Sequence, residues 1–154
     1  NSPWAKNITQ QRSKLSERLG SKLEEAPRLI KAALKASDDP SVPPNEKDLE
    51  AAEYVLRLMN ICKLTVGELA LNEVLSRVRN EVEQFINVMG DSAVEQLRVS
   101  SDDHRPVAQA RVNAAVKLTN IVFGDDAADL LRKAGAVARQ ASESAADVKS
   151  AKSA

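Results

Sequence analysis

Residues 69–90 read LALNEVLSRVRNEVEQFINVMG, and they decide the fold. Leu69, Leu71, Val74, Leu75, Val78, Val82, Phe85, Ile86 and Met89 recur at the spacing of one face of an α-helix. A half-buried strand would alternate at every second residue, and no such run bounded by turn residues occurs anywhere in the chain. Gly90 reads as a left-handed helix cap. A helix from about Thr65 to Gly90, followed by a short one over 92–99, is therefore expected.

Upstream, Thr65-Val66-Gly67-Glu68 fits the capping box T-x-x-E, and Gly67 weakens a helix interior by about 1 kcal/mol. Both features predict a break at Thr65. The helix before it opens at Asn45, a capping residue, and lays Leu49, Ala52, Val55, Leu56, Met59, Cys62 and Val66 on one face. Residues 37–44 (SDDPSVPP) hold three prolines and read as a loop. At the start, Ser2 suits an N-cap and Pro3 the first helical position. Trp4, Ile8, Leu15, Leu19, Leu23, Ala26, Ile30 and Ala33 then form a stripe of helical period, expected to be core. Pro27 interrupts it and predicts a kink near Glu24–Ala26.

Downstream, Pro106 to Gly124 is a helix packing Val107, Ala110, Ala114, Leu118, Ile121 and Val122. Asp125 is expected to cap a last helix with Ala127, Leu130, Leu131, Ala134, Val137, Ala138 and Ala141. Beyond Ser142 the chain offers little to bury. The expectation is an all-α antiparallel helical bundle of four long helices plus one or two short helices, with a kink near Pro27. It forms one domain over 1–141 with a frayed or disordered tail over 142–154.

Composition narrows function by exclusion. The 154 residues hold one histidine, one cysteine and five glycines. Those types supply most proton shuttles, nucleophiles, metal ligands and phosphate loops. Carboxylate-bridged metal bundles take Glu-x-x-His from two helices, and structural zinc takes four Cys/His ligands. His104 sits behind Asp102 and Asp103, a setting that disfavours a phosphoryl group, so phosphotransfer through His104 is the alternative and not the main reading. Cys62 shares a face with Val55 and Met59 and reads as a small buried hydrophobe. No catalytic residue, metal or cofactor is expected, nor a small-molecule substrate.

Zero net charge conceals blocks of opposite sign. Residues 1–36 carry eight Lys/Arg against three Asp/Glu, residues 37–103 six against fourteen, and residues 104–154 eight against five. Lys14, Arg18 and Lys22 follow at i, i+4 and i+8 beside the first apolar stripe, and Trp4 stands at its end. Trp4, Lys14, Arg18 and Lys22 are the candidate partner-binding residues. Opposed charge blocks suit steering toward another protein, one of acidic character. Without aromatic platforms and with so few cations, nucleic acid or a membrane surface is the lesser reading. Should Leu71, Leu75 and Val78 not all fit one core, they would form a homo-oligomer seam.

The middle of the chain resembles the N-terminal helical domain of the transcription elongation factor S-II family. The resemblance lies in the helix Arg28–Ala36, the loop, Leu56 and Met59 leading to Leu64-Thr65, then Leu69, Val74 and Val78. Ser100-Ser101-Asp102-Asp103 ahead of Val107 and Ala110 completes it. It implies binding of short disordered peptides. Residues 80–99 depart from that pattern as an insertion, and Asn80-Glu81 replaces its basic pair. The function expected from the residues themselves is a non-enzymatic, cytoplasmic protein–protein interaction module of adaptor or regulatory kind.

Overall fold

In a computed structural model the chain is all-helical. The structure describes residues 2–35, 39–69 and 71–154, with side chains left undescribed over 64–70. Among the described residues there is no strand, and the helices run α1 (Pro3–Glu24), α2 (Ala26–Leu34), α3 (Glu46–Leu69), α4 (Asn72–Arg98), α5 (Arg105–Phe123) and α6 (Asp125–Lys152).

Helix ends follow local chemistry. Ser2 accepts a hydrogen bond from the Ala5 N–H at 3.2 Å, and Pro3 needs no partner at the first position. Asn45 Oδ1 accepts from Lys47 N–H at 2.9 Å and Asp48 N–H at 3.3 Å, starting α3. Ahead of it Ser41 donates its N–H and hydroxyl to Asp39 Oδ1, at 2.9 and 2.6 Å, holding that carboxyl below its ordinary range. Gly124 ends α5 at φ 95°, a conformation that costs a residue with a Cβ.

Two cores are built along α4. The first joins Leu23 of α1, Ile30 of α2, Leu56 and Met59 of α3, and Leu75, Val78, Val82 and Ile86 of α4, with Leu118 of α5. The second joins Val94 and Leu97 of α4, Val112 and Val116 of α5, and Ala128 and Ala138 of α6. Helix α6 inserts only small residues fully (Ala128, Gly135, Ala138 and Ser142), which lets its backbone press against α5. A Cβ on Gly135 would stand 2.8 Å from Val112 Cγ1. Ser142 closes the far end of this seam: its hydroxyl donates to the Ser100 carbonyl at 2.7 Å and accepts from Arg105 Nε at 3.0 Å.

Several sequence expectations change. Helix α3 continues through Thr65 and Gly67 to Leu69, because a capping box and one glycine are weak signals against an intact i→i−4 ladder. The assignments of Val66 and Leu69 to apolar faces lie outside the described side chains. Gly90 does not end a helix; α4 runs through it to Arg98, and its missing side chain admits Leu131. The separate helix over 92–99 is thus the last part of α4. Gly124, and not Asp125, is the N-cap of α6, with Asp125 in the first turn accepting from Asn120 Nδ2 at 3.0 Å. Leu71, Leu75 and Val78 are all buried in the first core.

The glycines give opposite tests. Gly135→Ala adds about 1–3 kcal/mol of overpacking against a stiff valine, which exceeds the roughly 1 kcal/mol gained in helix propensity. Its thermal melt should shift down. At Gly90 the nearest atom is the mobile end of Leu131 at 3.4 Å, so Gly90→Ala should melt higher than the parent.

A candidate docking surface on the first helix

Helix α1 is anchored at one end only. Leu23 is wholly buried, Leu19 and Gly20 are half-buried near Leu71, and Arg77 on α4 bonds Glu24 at 2.9 Å. From Ser2 to Arg18, by contrast, every residue but Ser16 is exposed. Residues 4 to 18 therefore extend about 21 Å without cover from the other described residues.

That stretch is amphipathic all the same. Trp4, Ile8 and Leu15 are 74, 38 and 48% exposed, and helical spacing puts them within about 40° of one another around the axis. A shallow hollow of about 290 Å³ runs along them, lined by Trp4, Asn7, Ile8, Gln11, Arg12 and Leu15, all from α1. The stripe expected to be core over its whole length is core only from Leu19 onward. Before that point the hollow along the stripe is lined, among the described residues, by α1 alone.

The structure places the four sequence-derived candidates on this face or its border, all exposed. Lys22 pairs with Glu25 at 4.0 Å. Lys14 and Arg18 make no ion pair among the described residues. Arg12, which the sequence reading passed over, flanks the apolar line opposite Lys14. Its position eight residues after Trp4 and three before Leu15 was the available signal.

Other candidates are brought together differently. His104 sits at the start of α5, half-buried, its Nδ1 3.1 Å from Ser101 Oγ. Arg105 beside it is held by Asp102 at 2.6 Å and by Ser142. Burial raises the pKa of Cys62, which lies 2% exposed in the first core. Among the described residues no three His, Cys, Asp or Glu side chains converge as a metal site. A polar hollow of about 390 Å³ lies between α3 and α5, where Glu53 and Arg57 pair at 3.7 Å and Asn60 Nδ2 donates to the Ile121 carbonyl. A cleft of about 430 Å³ opens between α4, α5 and α6, walled by Phe123, Leu130 and Leu131 with Asp91 at its edge.

No protein family, curated protein or solved structure matches this chain. No described helix is long and apolar enough to cross a membrane.

Two measurements check this geometry. Trp4→Ala and Ile8→Ala should each change stability by less than about 0.5 kcal/mol, whereas Leu23→Ala should lose about 2–5 kcal/mol in a urea titration. The Cys62 thiol should resist Ellman's reagent in the native protein and react promptly in denaturant; rapid native labelling would contradict its burial.

Proposed function

We propose that this protein is a non-enzymatic helical interaction module, an adaptor or regulator, and that the exposed face of α1 is its docking surface. The observation that carries this reading is the row Trp4, Ile8 and Leu15, open to solvent on a helix whose lower end is locked into a core. An isolated helix of this length is marginal in water. A tryptophan, an isoleucine and a leucine aligned on it gain most by being covered, and aromatic anchors of this kind dominate binding energy at protein interfaces. The short connections at Gly124 and over residues 99–104 support an antiparallel succession of helices, and the single residue Glu25 between α1 and α2 supports a kink near Pro27. In that bundle α2 to α6 serve as the rigid base that presents α1.

The test is affinity capture from extracts of the producing cells, read by quantitative mass spectrometry. Wild-type protein should retain a protein partner near equal stoichiometry. Trp4→Ala and the triple Lys14→Ala/Arg18→Ala/Lys22→Ala should each lose it while keeping the wild-type helical circular dichroism. Capture that survives both substitutions would move the docking surface away from α1.

A further inference from the structure

The pattern on α1 goes further than exposure, because it defines what the covering partner must look like. Trp4, Ile8, Gln11, Leu15, Arg18 and Lys22 are spaced 4, 3, 4, 3 and 4 residues apart. That is the alternation of the d and a positions of a heptad, the seam of a two-stranded coiled coil. In this register Arg12 falls at e and Lys14 at g, the two positions that border the seam and face a partner's g and e residues. Glu17 falls at c, on the outer side. Each border of the seam thus carries one cation and no carboxylate, one of its core positions is Arg18, and neither Lys14 nor Arg18 has an ion pair among the described residues.

The geometry points to a single occupant for this face: an acidic amphipathic helix from another protein, laid along Trp4 to Arg18 as the second strand of a short coiled coil. The inference rests on α1 being the docking surface and adds the chemistry of what docks. Glutamates at the partner's e and g positions would meet Lys14 and Arg12, and a carboxylate in its seam would meet Arg18. A second copy of α1 fits badly, since pairing it in register with itself sets Arg18 against Arg18 and Lys22 against Lys22 within the seam. An anionic lipid surface would draw the same cations but has no use for a heptad register.

Trp4 is the only tryptophan in the chain and stands in the seam, so its emission reports occupancy directly. The full chain is titrated with two synthetic three-heptad peptides carrying leucine at a and d, one with glutamate at every e and g and one with lysine there. It is also titrated with vesicles of phosphatidylcholine and phosphatidylserine at 3:1. The expected result is a saturable blue shift with the glutamate peptide alone, weakened at least about ten-fold in 0.5 M salt. In Arg12→Glu/Lys14→Glu, whose side chains are exposed and hold no core contact, preference should reverse to the lysine peptide. The inference is overturned by equal binding of both peptides, by a shift with vesicles and not the glutamate peptide, by a shift that follows protein concentration with no peptide added, or by no shift. If extracts still yield an α1-dependent partner while the glutamate peptide leaves Trp4 unmoved, only the partner's chemistry is wrong and the docking surface stands.

Discussion

Helix α4 is long enough to enter both cores, and the placement of every other helix follows from that. Its 27 residues span about 40 Å, more than any single cluster of side chains here can cover. Leu75, Val78, Val82 and Ile86 bind α1, α2 and α3 into one core, while Val94 and Leu97 serve a second core with α5 and α6. Leu118 joins the first core from α5, so the two halves share helices on both sides. Removing a large side chain from α4 therefore loosens two packing neighbourhoods through one rigid rod.

The two cores are built by different means. The first interlocks leucine, isoleucine, valine and methionine, and gains stability from apolar area removed from water. The second relies on close approach: Ala128, Gly135, Ala138 and Ser142 bring α6 onto Val112 and Val116. Small residues bury less area each, but they place backbone against side chain at short range, where dispersion contacts are dense. The cost is intolerance of added volume, set by the 2.8 Å at Gly135. Polar groups at the end of this seam are consistent with it, since Ser142, Arg105 and Ser100 satisfy one another and no described buried side-chain nitrogen or oxygen lacks a partner.

Much of this was legible in the sequence, because the α period is written by residues that bury on one face. The core residues from Leu23 to Cys62, and from Leu75 to Ile86, fall on the stripes their spacing described. Boundaries were harder. Gly90 and the Thr65–Glu68 motif are ambiguous locally: the same residues serve as caps or as interior positions, and neighbours decide which. Leu131 decides at Gly90, and nothing in a linear reading places it there. The first stripe departed from expectation in a more instructive way. Periodicity says that Trp4, Ile8 and Leu15 share a face with Leu19 and Leu23, which is correct, but it carries no information about where the rest of the bundle stops. Gln11 and Arg18 at the intervening turns were the trace of that limit, since a stripe interrupted by amide and guanidinium groups at alternate steps is poor core and serviceable seam.

Coupling between helix formation and docking follows from the same asymmetry. The lower turn of α1 is fixed by Leu23 and by Glu24 to Arg77, which removes the nucleation cost for the turns above it. Those turns gain a cap from Ser2 and a preset first residue from Pro3, yet no ion pair within the segment supports them among the described residues. Each added turn must then be sustained by modest propensity alone, with Asn7, Thr9, Ser13 and Ser16 among the weaker helix formers. A covering helix would supply the missing half of the balance by burying the tryptophan, isoleucine and leucine and pairing the cations beside them. Ordering of the upper turns and docking of such a helix would therefore draw on one free energy. The anchored end would keep that ordering cheap, because the upper turns extend a helix already nucleated below them.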